Sequence, residues 1–221
     1  MRTVQFIAQS WQGIHRDSNK DGFHVIRSGD YVILLLFDGV SGSENARAAV
    51  DTVIDFCIKS HAMYYKNSDF NLAHFLEDMN VCILRMRNKE SLTTCCVVYI
   101  PLTSAIPIKI THLGDSRIYG VDHDMVLYTE DHCDPEIRHM LTKCLGLERL
   151  QQEDFYEKNI SDPVRRLLLC TDGFYEVMGT DSSYFLNLFR TSDLRSIKEK
   201  IAQLIPVQNS DDATYILADI V

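Results

Sequence analysis

The sequence predicts an α+β fold in which antiparallel β-sheets carry helices on their outer faces. Three observations point there. Strand-like stretches come first, two helical stretches follow, and then come more strands, a helix and a last strand. That order does not alternate as β-α-β, which disfavours a parallel doubly wound sheet. The strands of the middle region are separated by short turns, as in an antiparallel meander. Finally, 46% of the 221 residues are hydrophobic and 24% charged, with 10 Gly and 5 Pro, an ordinary globular composition rather than a disordered or low-complexity one. No repeat or linker stands out, so residues 1–221 read as a single domain.

Residues 3–10, 22–27 and 30–37 have the β-branched and apolar character of strands, the second and third joined at the Gly-containing turn "RSGD". From Glu44 the period changes. Ala46, Ala49, Val50, Val53, Ile54 and Cys57 recur at helical spacing, with Ser43 as the expected N-cap. A second helix places Leu72, Phe75, Leu76, Met79, Cys82, Ile83 and Met86 on one face and Glu77, Asp78 and Arg85 on the other. Residues 92–100, 106–114, 116–121 and 124–129 then read as consecutive strands. Residues 130–165 are polar and mixed, a poor source of core, and a flap-like segment is expected at about 120–165. The strand "RRLLLC" leads into Asp172, a helix is expected at about 192–204 on Leu194, Ile197, Ile201 and Leu204, and "ATYILADIV" is the last strand.

The formal net charge of −9 repels phosphate backbones and anionic membrane surfaces, and there is no basic patch to offset it, so neither nucleic acid nor membrane is an expected partner. The apolar run "VILLLF" is far short of the ~20 residues a bilayer helix needs, and "MRTVQFIAQSW" lacks a signal-peptide core. A soluble cytoplasmic monomer is the expectation. The seven cysteines, with no CxxC pair, fit neither a disulfide framework nor a zinc ribbon, and most of them, Cys95, Cys96 and Cys170 among these, read as small core hydrophobes.

The chemistry gathers at strand ends. Asp38-Gly39 and Asp172-Gly173 each follow an apolar strand. One such ending is ordinarily a turn, in which the glycine lets the chain turn away closely. Here Asp115, Asp21 and the pair Asp211 and Asp212 also lie where strands begin or end. If these ends meet at one sheet edge, each carboxylate pair at ~4 Å repels by about 4 kcal/mol at an effective dielectric of ~20. Only a cation makes such a cluster tenable. Oxygen ligands without His or Cys spacing suit Mg²⁺ or Mn²⁺ rather than zinc, and glycine lets the backbone come close enough for the Gly39 carbonyl to serve as a ligand.

Taken in order, "RDSNKDGF", "FDGVSG", "LTTCCVVYI", "GDSRIYG", "YTEDHCD", "LLLCTDGFYEVM" and "SDDATYIL" resemble the successive motifs of the PP2C (PPM) family of metal-dependent protein phosphatases, most of all its short single-domain bacterial members. The resemblance runs from about residue 12 onward. It implies a four-layer α-β-β-α sandwich, two antiparallel β-sheets flanked by helices, with two Mn²⁺ or Mg²⁺ ions at one edge. It implies hydrolysis of phosphoserine and phosphothreonine in protein targets of a Ser/Thr kinase. Asp38 matches the bridging metal ligand and Gly39 the carbonyl ligand. Asp172 and Asp211 match the ligands that complete the first metal, and Asp21 a carboxylate near the second, acting through water. Asp115 matches the residue that holds a third metal with Asp172, and Arg16 the phosphate-binding arginine. Two metals roughly 3.5 to 4 Å apart acidify a shared water for in-line attack on phosphorus, so no protein nucleophile is needed.

Three positions depart from the family or stand apart within it. Lys20 occupies a position usually acidic, Val40 one that holds a histidine in animal members, and Asp212 one that is commonly Asn. His132, in "EDHCD", matches a recurring family motif and is expected to be structural. A catalytically weakened regulatory or binding protein on the same scaffold is the alternative, favoured by Lys20 alone. A phosphoacceptor receiver domain, which "VILLLFDG" also suits, is disfavoured by the length, the meander and the repeated Asp-Gly endings.

Overall fold

The computed structural model describes residues 1–86, 90–137, 140–160 and 163–221. In chain order the elements are β1 (Val4–Trp11), β2 (Gly22–Arg27), β3 (Tyr31–Phe37), α1 (Ala46–Ser60), β4 (Tyr65–Lys66), β5 (Asp69–Phe70) and α2 (Leu72–Leu84). There follow β6 (Cys95–Pro101), β7 (Ile108–Leu113), β8 (Arg117–Val121), β9 (Met125–Leu127), β10 (Lys158–Ile160) and β11 (Arg166–Cys170). The remainder comprises α3 (Asp172–Thr180), α4 (Ser182–Thr191), α5 (Leu194–Gln208) and β12 (Ala213–Ile220). Two five-stranded sheets, in the orders β1-β12-β11-β8-β9 and β10-β7-β6-β3-β2, are antiparallel throughout.

Strand β3 shows what holds the layers together. Its seven residues are all buried, and because side chains alternate faces, Leu34 and Leu36 meet the other sheet while Ile33, Leu35 and Phe37 meet α1 and α2. An antiparallel strand with one wet face alternates polar and apolar residues; one covered on both faces reads as an unbroken apolar run. On the far side, Leu168 and Cys170 of β11 and Tyr215 and Leu217 of β12 pack against Phe174, Phe189, Ile197 and Ile201 of the other helical layer. The result is the four-layer α-β-β-α sandwich. Among the described residues, no helix is long and apolar enough to cross a membrane.

The structure corrects four expectations. Helix α1 starts from Asn45 rather than Ser43; the Ser43 hydroxyl instead donates to the Glu90 carbonyl and accepts the Leu92 N–H at 3.2 Å. The short β4-β5 hairpin was not expected. Neither were α3 and α4, although Phe174, Val177 and Met178 recur at helical spacing. Residues 130–165 are not a poor source of core: Cys144, Leu145 and Ile160 are buried. Leu145 exchanges backbone hydrogen bonds with Thr93 at 3.2 and 2.9 Å, and β10 extends one sheet by pairing with β7. Residues 138–139 and 161–162 of that segment lie outside the described residues.

Leu145 touches Ile83-bearing α2 through the same apolar cluster, so truncating it leaves a cavity. Leu145→Ala is expected to destabilise the protein by about 2–4 kcal/mol in urea unfolding. A loss under about 0.5 kcal/mol, the size of an ordinary surface substitution, would show that the segment lies on the core without contributing to it.

Candidate active site

Asp38 follows β3 and is fixed through its backbone. Its N–H donates to Thr94 Oγ1 at 3.1 Å, and its carbonyl accepts both the Thr93 hydroxyl and the Thr94 N–H at 2.8 Å. Gly39 is needed for close approach: a Cβ there would meet the Lys20 carbonyl at 2.8 Å.

Asp172 follows β11 across Thr171 but does not open a turn. It is the first residue of α3, with extended Thr171 (φ −82, ψ 170) as N-cap, and its carboxylate accepts the Gly173 N–H at 2.6 Å. An anionic residue in the first helical turn is favoured by the helix dipole. The role expected of Gly173 changes accordingly: a Cβ would lie 2.3 Å from the Asp212 carbonyl, so glycine lets α3 seat against the entry to β12. The Thr171 hydroxyl is occupied elsewhere, donating to Asp21 Oδ2 and accepting the Thr214 N–H, both at 2.9 Å.

Adjacent Asp211 and Asp212 have opposite surroundings. Asp212 is buried, and its two oxygens accept the N–H groups of Gly13 at 2.9 Å and Lys20 at 2.7 Å, gripping both ends of the loop that carries Arg16. Buried Asn209 adds bonds to the carbonyls of Gln12 and Asp211, each at 3.1 Å. Asp211 faces the cleft and takes the Arg16 guanidinium in a two-pronged ion pair, Nε to Oδ1 at 2.6 Å and Nη2 to Oδ2. The Lys20 ammonium rests on the Ser41 carbonyl at 3.2 Å, at the lip of the cleft.

Asp115 sits in the turn between β7 and β8, shaped by Gly114 at φ +106. His132 holds that turn. Its Nδ1 accepts the Gly114 N–H at 3.2 Å, the His132 N–H donates to the Gly114 carbonyl at 3.0 Å, and its ring stacks on His112 with centroids 4.7 Å apart. Burial, with His112 and Lys143 nearby, lowers the His132 pKa to about 4, so the ring is neutral at pH 7 with its proton on Nε2. The Cys133 thiol reaches Asp115 Oδ2 at 3.8 Å.

These pieces enclose a cleft of about 250 Å³ lined by Asp38, Asp115, Asp172 and Asp211 with Arg16, and walled in part by Val40 and Leu141. Every sequence-expected site residue is therefore at or beside one cleft except Asp21, which is buried behind it. Asp21 keeps one oxygen on Thr171, while among the described residues no hydrogen bond reaches Oδ1. Among the described residues, no three Asp, Glu, His or Cys side chains close into a ready-made metal cage. The acidic groups share one field nonetheless. Burial first, and then Asp21, Asp172, Asp115 and Asp211, push the Asp38 carboxyl well above the usual carboxylate range. Burial and neighbouring acids likewise raise Asp115, take Asp172 to about 7 and take Asp21 to about 8.

Solved structures with this architecture place the geometry among known proteins. The serine/threonine phosphatase Stp1 from Staphylococcus aureus superposes with a TM-score of 0.76 at 22% identity, over 99% of this chain and 95% of that one. The catalytic domain of the serine/threonine phosphatase PstP, solved with 2 manganese ions, gives 0.74 at 19% identity over 100% of both chains. The PPM Ser-Thr phosphatase MsPP from Mycobacterium smegmatis, solved with cacodylate, gives 0.74 at 16% over 97% of both. The fold is that of the bacterial PPM-type phosphatases. No protein-family model and no curated protein matches the sequence. Within the PPM-type frame, the residues that sequence reading missed are supports: Thr171, Thr94, Asn209 and the loop-gripping role of Asp212. A cap-forming Thr before Asp172 and an Asn two residues before Asp211 were the available signals.

The raised carboxyls have a consequence for stability. Asp21 and Asp172 hold protons in the folded state that an unfolded chain releases near pH 4. Their stabilising contribution is complete below the unfolded value near pH 4, declines as pH rises, and is gone above the folded values of about 7 and 8. With a chelator present, the melting temperature is expected to fall as pH rises from roughly 5 to 8 and to level off above that, and Asp21→Asn should flatten the fall. A melting temperature that rises over this interval contradicts the burial of these groups as neutral acids.

Proposed function

We propose that the protein is a Mn²⁺- or Mg²⁺-dependent protein serine/threonine phosphatase. The observation that carries this reading is the gathering of carboxylates from separate segments around one cleft with a guanidinium beside them, in a fold whose solved neighbours are serine/threonine phosphatases. The donors suit a hard divalent ion: all are oxygens, and among the described residues no hydrogen bond reaches the buried Asp21 Oδ1, which is costly unless something cationic or polar satisfies it. Asp38, the Gly39 carbonyl, Asp172, Asp211 and Asp115 at or beside the cleft, with Asp21 behind it, are the oxygen donors that would hold such ions. When bound, such ions acidify water for attack on phosphorus and offset charge on the transferring group.

The chain's own residues orient the substrate. Arg16 has the forked geometry to bind two phosphoryl oxygens, which lysine cannot reproduce. Val40, at the cleft wall, offers no proton, so leaving-group protonation falls to water. His132 is engaged with the Gly114 turn. Burial and Asp115 push the Cys133 thiol up to about 11, so it is not the thiolate that a covalent phosphatase requires. The expected substrates are phosphorylated proteins.

The test is phosphate release from a phosphothreonine peptide and from nitrophenyl phosphate, with and without Mn²⁺, for wild type and for Asp172→Ala and Asp38→Asn. Release should require Mn²⁺ and fall on the order of 100-fold or more in either variant, the size expected when transition-state charge loses its compensation. Equal release under all conditions overturns the proposal. A catalytically weakened regulatory or binding protein of the same fold is the second reading, favoured by the Lys20 ammonium at the cleft lip. Mn²⁺ binding without turnover, with activity appearing in Lys20→Glu, would establish it.

A further inference from the structure

We infer that Arg16 is a built-in competitor for the cation at Asp211, so that occupying the metal site and freeing the phosphate-binding arginine are one linked event. The inference rests on the preceding reading of the cleft as a metal centre and goes beyond it by coupling two of its parts.

The geometry is specific. Asp211 has two carboxylate oxygens, and the Arg16 fork takes both, with Oδ1 also accepting the Asp212 N–H at 2.7 Å. The pair is about two-thirds or more shielded, with side-chain exposures of 32% and 25%, and its hydrogen bond is the leading cause of the raised Arg16 pKa. A divalent ion ligated by Asp211 needs one of these same oxygens. The ion and the guanidinium then compete for the same carboxylate, through shared lone pairs and through the repulsion of two cations on one anion.

Once displaced, Arg16 cannot go far. Its loop is pinned at Gly13 and Lys20 by the two oxygens of Asp212, and the Arg16 carbonyl accepts the Gln12 side-chain amide at 2.6 Å. The freed fork stays at the mouth of a cleft whose remaining carboxylates would be engaged by metal, and a tetrahedral oxyanion is the partner that suits it. Linkage makes the effect reciprocal: an oxyanion that takes Arg16 away from Asp211 raises metal affinity, and metal raises oxyanion affinity.

Mn²⁺ titration followed by electron paramagnetic resonance tests this directly on the full chain. Arg16→Ala and Arg16→Lys should each bind Mn²⁺ more tightly than wild type by at least roughly 5-fold, the lower end of ordinary coupling between linked sites. The lysine variant is decisive because it keeps the charge and loses the fork. Tightening in Arg16→Ala alone means simple charge repulsion, and unchanged affinity in both means no competition; either overturns the inference while leaving the metal reading intact. In unaltered protein, the Arg16 Nε–H resonance should shift on addition of diamagnetic Mg²⁺, and an unmoved resonance at saturating Mg²⁺ also overturns it. If wild type binds no Mn²⁺, and Asp38→Asn and Asp172→Ala titrate identically to it, the metal reading and this inference fall together.

Discussion

Everything around the cleft follows from the mutual repulsion of carboxylates that the sandwich edge forces into one field. The fold meets that repulsion with a rigid backbone, with raised carboxyl pKa values at Asp21, Asp38, Asp115 and Asp172, and with the Arg16 guanidinium at Asp211. Asp38 is gripped by its backbone through Thr93 and Thr94, Asp172 by its place at the start of α3, and the Asp211 carbonyl by Asn209. In each case the main chain is held in place while the carboxylate lines the cleft. Such an arrangement persists only if the surrounding packing outweighs its cost, and the continuous apolar layers on both faces of each sheet provide that packing.

Neighbouring acids in this setting do unlike jobs. Asp211 and Asp212 are consecutive, yet one pairs with a guanidinium at the cleft and the other is buried as a double acceptor for backbone N–H groups. An asparagine at 212 has one acceptor oxygen where this aspartate has two. The aspartate therefore suits a loop that must be held at both ends. Lys20 contributes to the same loop through its backbone, and its ammonium is turned onto the Ser41 carbonyl.

The sheets and the first helical pair were legible because their cores impose clean periods: an unbroken apolar run in β3, and i, i+3, i+4 recurrence in α1 and α2. The positions of Asp38, Asp115, Asp172 and Asp211 were legible too, since strand ends on one side of an antiparallel sandwich share an edge. Helix α3 was obscured because Asp-Gly after a strand is ordinarily a turn, whereas here the aspartate takes the first helical position. Leu145 was obscured because it is a single apolar side chain brought to the core by bonds to Thr93, far away in sequence. The burial of Asp21 and the two-pronged pair of Arg16 with Asp211 depend on contacts between segments that no local pattern records.

Strand β12 lies in the interior of its sheet, between β1 and β11, and residues 211 and 212 stand at its entrance. On the ribosome, β1 emerges some two hundred residues ahead of the partner that pairs with it from Val4 to Trp11. Until then both β1 and β11 carry unpaired edges, the condition that invites association between nascent chains. The acidic edge is likewise unfinished, and neither the grip on residues 13–20 nor the salt link to residue 16 exists. Asp211 and its partner Arg16 are thereby brought together only when the last strand inserts, so the mature cleft and the closed sheet arrive together.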